Sequence, residues 1–299
     1  MRRARVSVLG FLVTGLLVAP LFVAPPAGAT FPGTNGKIAF QSNRTGNNEI
    51  FVMSSDGTNV TQLTHFPRLD ENPAWSPGGG KIAFDSRRHG NTDIYVMKAD
   101  GTNVKRLTTN AAQDFDPAWA PGGKRIAFSS QRSGHGDIYV KNLVTGRVTR
   151  VTHNSAFDGT PDWSPNGKRI AFMSLRSGNA DLFTVQPDGT HTRKVTASTL
   201  DDVLPSWAPD GSKLAFIRVN GPSQQVFTIK PDGSGLHKLT NNGLLKGKLA
   251  WSPDGTKIVL TAGAESNSDL YVMNADGTHF KRSPGSSPDQ DGSPSWQRI

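Results

Sequence analysis

Tryptophan stands at positions 75, 119, 163, 207, 251 and 296, so the steps between neighbours are 44, 44, 44, 44 and 45 residues. Ile38, Ile82, Ile126, Ile170, Leu214 and Ile258 keep the 44-residue step, each followed by Ala or Val and then Phe or Leu. Phe51, Tyr95, Tyr139, Phe183, Phe227 and Tyr271 keep it too. A period of this length means an array of supersecondary units, each unable to bury its apolar face alone. Periods near 44 residues belong to β-propeller blades or to HEAT-type helical pairs, and local chemistry separates the two.

Each Trp is followed by a tight turn, read as Ser-Pro-Gly-Gly at 76–79, Ser-Pro-Asn-Gly at 164–167 and Ser-Pro-Asp-Gly at 252–255. Proline presets φ in such a turn and glycine permits the positive φ that follows. A second turn is built on Asp56-Gly57, Asp100-Gly101, Asp188-Gly189, Asp232-Gly233 and Asp276-Gly277, a hairpin signal. Between the turns lie short runs rich in Ile, Val, Phe and Tyr, none as long as the roughly 10–12 residues a helix requires. Each repeat therefore reads as four short antiparallel strands. Runs such as Ile94-Tyr95-Val96-Met97 are apolar on both faces, as expected when sheets stack radially around an axis.

The two ends of the array make a second argument. The chain enters at Gly36-Lys37-Ile38 with no Trp strand before it, and Trp296 has no second strand after it. A closed ring reconciles the two, with residues 293–298 completing a first blade begun by residues 37–64. The expected fold is all-β: a six-bladed β-propeller of four-stranded antiparallel blades, closed without free sheet edges between its ends. Gly 32 and Pro 20 suit so turn-rich a chain.

Residues 1–29 read differently. Arg2, Arg3 and Arg5 precede an apolar run from Val6 to Ala24, and Ala27-Gly28-Ala29 offers the small residues of a cleavage site. The expectation is a signal peptide over 1–29, a propeller over 30–299, and a secreted or periplasmic protein. The alternative is a retained anchor, against which Pro20 and the small-residue site argue. Without the leader, which holds three Arg and no acid, the net charge falls from +9 to +6. Cys 0 excludes disulfides, thiolate metal sites and a thiol nucleophile.

The core Trp-Ser-Pro-Asp-Gly-x-Lys-Ile-Ala-Phe, followed by Asp-Ile-Tyr-Val-Met-x-Ala-Asp-Gly and Leu-Thr, resembles the WD40-like PD40 repeat of TolB-type propellers, over essentially all of residues 36–299. The Trp-Asp and Gly-His signature of cytoplasmic WD40 repeats is absent. The resemblance implies a periplasmic or secreted scaffold that takes a protein or peptide at the propeller mouth. TolB itself carries an additional N-terminal α/β domain, whereas here the repeats begin within ten residues of the expected cleavage site.

Comparing the six repeats with one another picks out polar positions. Five residues before each Trp stand Asp70, Asp114, Asp158, Asp202, Lys246 and Asp291, expected to ring one mouth of the channel. The third strand opens on Glu49, Asp93, Asp137, Asp181, Gln225 and Asp269, and the loop before it carries Arg44, Arg88, Arg132, Arg176, Asn220 and Ala264. The four blades with Arg keep both acids; the blade with Asn220 has Gln225 and the blade with Ala264 has Lys246. This covariation suggests that each Arg lies between two carboxylates, forking hydrogen bonds to one or both. Such a network can be scaffolding alone. Counted as a set, these positions leave an excess of about five acids around the opening, which is the basis for placing ligand capture there.

The remaining positive charge follows the first turn (Lys37, Lys81, Lys124, Lys168, Lys213, Lys257) or lies near the outer strands (Lys105, Arg106, Arg150, Arg193, Lys194, Lys238, Lys281, Arg282). It reads as a solvated rim or as a contact for an anionic envelope surface. Nucleic acid is not expected, since no exposed aromatics are interleaved with these charges. No cofactor is expected; Ca²⁺ in the acidic ring has only weak support, because Asp289-Gln290-Asp291-Gly292 lacks the downstream Glu of a calcium loop. The seven His do not converge by register, and no Gly-x-Ser-x-Gly elbow occurs. The regular Trp register points to packing between blades. The expectation is a monomeric, exported, non-enzymatic scaffold for a protein or peptide partner. The alternative is a metal-assisted extracellular hydrolase or lyase acting on carbohydrate or lactone.

Overall fold

The computed structural model describes residues 33–264 and 267–299. The expected leader lies outside these residues. They form six four-stranded antiparallel sheets and no helix, arranged as a six-bladed propeller. Blade 2 is typical: an inner strand Asp70–Trp75, a second Lys81–Ser86, a third Asp93–Lys98 and a short outer strand Lys105–Arg106. The other complete inner strands are Asp114–Trp119, Asp158–Trp163, Asp201–Trp207 and Leu245–Trp251 in blades 3 to 6.

Blade 1 is assembled from both ends of the array. Its inner strand is Asp291–Arg298, paired with Asn35–Ser42 in the register Ile38↔Trp296 and Ser42↔Asp291. The seam is tight: a Cβ on Gly36 would lie 2.7 Å from Oε1 of Gln297.

Local sequence explains the elements. In the Ile-Ala-Phe strands both faces are packed, so Ile82, Ala83 and Phe84 are fully buried. In the Ser-Pro-x-Gly turn the Ser76 and Gly79 amides donate to Lys81 O and Ser76 O, closing the link between inner and second strands. In the Asp-Gly hairpin, Asp100 Oδ1 accepts from the Thr102 amide at 2.9 Å. Gly101 there has φ +84°, and a Cβ would meet the Leu63 carbonyl of blade 1 at 2.7 Å. A hairpin that keeps the neighbouring blade this close therefore needs glycine. The Trp rings are buried between blades; Trp119 Nε1 donates to Ala74 O of blade 2 at 3.1 Å and Trp251 Nε1 to Ser206 O of blade 5 at 3.3 Å.

The strand directions sort the connections onto two faces. The starts of inner and third strands, with the loops before them, lie on the mouth face. The Ser-Pro-x-Gly turns and Asp-Gly hairpins lie on the opposite turn face. Three residues before Trp the inner strands of all six blades are bulged, and in blades 1 to 5 Ser293, Asn72, Asp116, Thr160 and Leu204 take φ of +52° to +62°. A bulge re-aims a side chain that a regular strand would send elsewhere. Blade 6 has Lys248 at this position.

Candidate binding face at the channel mouth

The five mouth aspartates open or nearly open the inner strands, and none is exposed: Asp70, Asp114, Asp158, Asp202 and Asp291 each have 0% relative exposure. Their position is set by the neighbouring blade. The amides of Asp70, Asp114, Asp158 and Asp202 donate to the carbonyls of Asn48, Thr92, Gly136 and Ala180 in the preceding blade. A carboxylate held in such a place must be paired or give up its charge.

Arginine does the pairing. Arg44, Arg88, Arg132 and Arg176 reach Asp291, Asp70, Asp114 and Asp158 at 2.9, 2.5, 2.7 and 2.8 Å. Each guanidinium also donates to a serine of its own blade, as Arg132 Nε does to Ser130 Oγ at 2.8 Å. It lies over the stacked aromatics of the second and third strands: Arg132 is 5.4 Å from the Phe128 centroid and 4.7 Å from that of Tyr139. Three-sided support of this kind suits the planar, delocalised cation.

Of the two contacts expected for each Arg, the structure shows the one to the mouth acid. Each Arg hydrogen-bonds the mouth acid of its own blade and leaves the third-strand acid to another cation. Asp93, Asp137, Asp181 and Asp269 pair with Arg106, Arg150, Lys194 and Arg282 of the outer strands at 2.5–2.8 Å. Glu49 is held by Thr64 Oγ1 and the Asn47 amide, and burial pushes its pKa up. The expected loss of Arg in blade 5 is also corrected. Arg218, two residues before Asn220, grips Asp202 at 2.7 and 2.8 Å and stacks on Phe216 and Phe227. With the acids buried and nine of them ion-paired, the excess of negative charge expected at the mouth is not there.

The two irregular repeats meet at one junction. Gln225 of blade 5 donates from Nε2 to Asn242 O at 2.7 Å, and Lys246 Nζ of blade 6 donates to Asn242 Oδ1 at 2.6 Å and Leu244 O at 2.7 Å. Gln224 Oε1 accepts from the Lys246 amide. Burial, with Lys238 nearby, pushes the Lys246 ammonium down to about 8. The substitutions by Gln225, Lys246 and Ala264 therefore belong to a single boundary, between blades 5 and 6.

A second polar cluster occupies the channel itself. Asn72 Nδ2 lies 3.2 Å from Asp85 Oδ2 and 3.4 Å from Asp116 Oδ1, and the Asp116 amide donates to Asp85 Oδ1. Ser129 links Asp116 to the Thr160 amide in the next blade. Lys248 enters from blade 6, fully buried, and its Nζ finds no hydrogen-bond partner. Burial lowers its pKa to about 8 despite the opposing charges of Asp116, Asp85 and Asp162. Burial likewise raises Asp85 to about 8 and raises Asp116 and Asp162. Met173, Leu204 and Ile217 cover the blade 4 and 5 side.

None of Asp85, Asp116, Asp162 or Lys248 stands out when one looks for positions repeated in every blade. For Asp116 and Lys248 the signal is the reverse: a position where Asn72, Asp116, Thr160, Leu204, Lys248 and Ser293 all differ, although Pro follows it in five of the six blades and Trp stands three residues on in all. Among the described residues no three carboxylate or imidazole groups converge to hold a metal ion.

Set beside known proteins, the chain matches the model of PD40, the TolB β-propeller domain, over residues 23–118, 63–158 and 116–247. A 44-residue stretch is 50% identical to the Tol-Pal system protein TolB of Geobacter sulfurreducens, spanning 15% of this chain and 10% of that protein. In three dimensions it resembles TolB from Acinetobacter baumannii with a TM-score of 0.78 and 22% identity, covering 88% of this chain and 67% of the other. It also resembles an oligogalacturonate lyase solved with manganese, with a TM-score of 0.61 and 17% identity, covering 87% of this chain and 77% of the other.

Proposed function

The chain belongs to the PD40 family of TolB β-propeller domains, and on that premise we propose that it is an exported, non-enzymatic scaffold of the cell envelope that holds a protein or peptide on its mouth face. The leader over 1–29 is read as the export signal, which places the domain in the periplasm or outside the cell.

The supporting observation is how the two faces differ in repetition. On the turn face the connections repeat: Ser-Pro-x-Gly or Ala-Pro-x-Gly, then Asp-Gly-Thr with small variations. On the mouth face the loops before the third strands still repeat as Ser-x-Arg-x-Gly in blades 1 to 4, but the loop entering each inner strand is the blade's own, such as His-Phe-Pro-Arg-Leu at 65–69, Thr-Asn-Ala-Ala-Gln at 109–113 and Asn-Asn-Gly-Leu at 241–244. A scaffold can be symmetric, but a surface that recognises one partner in one orientation needs unlike loops on rigid supports. The buried Arg–Asp pairs supply that rigidity. They hold the loop bases from below and are not themselves the contact surface.

Catalysis on carbohydrate or lactone draws less support. The likeness to the lyase is one of fold, and fold hosts many chemistries.

The test is capture from envelope extract with immobilised protein bearing exposed mouth-face reversals, Arg68→Glu with Arg87→Glu, beside a turn-face control, Lys124→Glu. A partner retained by wild type and by the control, and lost with the mouth-face pair, supports the reading. Retention unaffected by the mouth-face pair, or turnover of a saccharide abolished by Asp116→Asn, contradicts it.

A further inference from the structure

Charge is divided between the two faces. The turn-face segments carry sixteen Lys and Arg against seven Asp, whereas the described mouth-face segments balance at thirteen of each. The mouth-face balance is largely internal, being the buried pairs described above. The turn-face cations are mostly free: Lys37, Lys81, Lys124, Lys168 and Lys257 are exposed, one from each of five blades, and blade 5 adds half-exposed Lys213. They form a ring around the far opening of the channel. The Asp-Gly aspartates on this face are turned into their own hairpins, where Asp56, Asp100, Asp188, Asp232 and Asp276 bind the amide and hydroxyl of the Thr or Ser two residues on.

Two further features coincide on the same face. The large apolar side chains left exposed among the described residues are Val104, Val144, Leu236 and Ile299, at 36%, 74%, 47% and 70%. Val104, Val144 and Leu236 sit in the hairpins of blades 2, 3 and 5, and Ile299 follows the end of the blade 1 inner strand. The described chain also enters on this face, where the Gly33 amide donates to Pro253 O of the blade 6 turn.

Diffuse cationic charge with a few apolar tips on a rigid plane is the combination that suits an anionic lipid interface. Lysines meet headgroup phosphates while short apolar side chains enter the headgroup boundary. A soluble polyanion would use the charges and leave the tips idle. We propose that the turn face docks on an anionic lipid bilayer, leaving the mouth face turned outward for its partner. The orientation follows from the charge division and does not depend on the mouth-face reading.

The test uses residues 30–299, which contain the whole closed ring without the apolar leader. It is sedimented with vesicles of phosphatidylcholine alone and with vesicles containing 30% phosphatidylglycerol. Binding is expected only to the latter, weakening sharply between 50 and 500 mM NaCl as the charges are screened. Each basic residue near such a surface contributes about fivefold, so Lys81→Glu, Lys124→Glu and Lys168→Glu together are expected to reduce binding on the order of 100-fold. Arg68→Glu with Arg87→Glu is expected to leave it unchanged. Val144→Ser is expected to weaken vesicle binding several-fold without affecting retention on dextran sulfate. Equal binding to both vesicle types, no binding at 50 mM NaCl, or loss caused by the mouth-face pair overturns the proposal. Binding that tracks dextran sulfate and ignores Val144→Ser assigns the face to a soluble polyanion and overturns the lipid assignment.

Discussion

At the boundary between blades 2 and 3, Asp114 is seized by Arg132, and Asp93 of the neighbouring blade by Arg106. At the boundary between blades 5 and 6 the corresponding places hold Lys246 and Gln225, bound to neutral oxygens of Asn242 and Leu244. Both boundaries close the same gap between the same strands. The ring thus satisfies its polar groups at both boundaries with two different chemistries. The costs of disturbing them differ, because removing one member of an ion pair leaves a buried charge behind, whereas removing Lys246 leaves only neutral acceptors. Blade 6 also has Leu260 where the other second strands have Phe, so the aromatic seat for a guanidinium has gone together with the guanidinium.

The strongest way to break this comparison is Arg132→Met. It strands Asp114 without exposure, and a loss of about 3 kcal/mol in urea unfolding is expected. Lys246→Met is expected to lie within about 1 kcal/mol of wild type, since it removes a buried cation that has no anionic partner. Equal losses from the two variants would erase the distinction. Arg218→Ala follows closely in size and is expected to match the loss at Arg132, because Arg218 does for Asp202 what a differently placed Arg does in four other blades. A loss under about 1 kcal/mol there would show that the relocated Arg is idle.

The next effect is one of pH, and it contrasts the boundaries with the channel. Burial raises the folded pKa of Asp85 to about 8, from an ordinary value of 3.8. A group raised in this way favours folding below its unfolded pKa and loses that contribution as pH rises through the folded one. The melting temperature is therefore expected to decline from pH 4 to pH 8, and Asp85→Asn to flatten the decline. An unchanged slope in the variant would refute the assignment. The smallest effect is expected from Gln225→Glu, which puts a carboxylate near Lys246. The ammonium should titrate above its value of about 8, with a stability gain below about 1 kcal/mol. A lower pKa for Lys246 would contradict the geometry.

Reading the sequence went far with the fold and part of the way with the polar ring. The 44-residue step, the two turn types and the incomplete end repeats already specify six blades and a closing strand, because they are local chemistry repeated. The ion-pair positions are equally visible, but aligning repeats puts each residue beside its own equivalents and hides which blade it faces. Gln225 and Lys246 thus read as losses in two blades, although they share one boundary. Arg218 escaped because it is displaced by two residues along a strand, which keeps the side chain on the same face. Arg106, Arg150, Lys194 and Arg282 read as rim charge because an outer strand of two or three residues gives no hint that its cation folds inward. Asp85, Asp116, Asp162 and Lys248 carry no repeated pattern at all. They become visible only when irregularity at a buried position is itself taken as the signal.

The strand that completes blade 1 follows every other strand of the ring in the chain, and its partner Asn35–Ser42 precedes them all. Throughout synthesis, the opening hairpin waits with an unclaimed edge while five later blades line up beside it. Contacts so distant along the chain form slowly, and an open edge invites pairing with other chains. The two ends must find each other after the rest has emerged, so the interval before closure is when this protein most needs a holdase and is most readily cut by proteases.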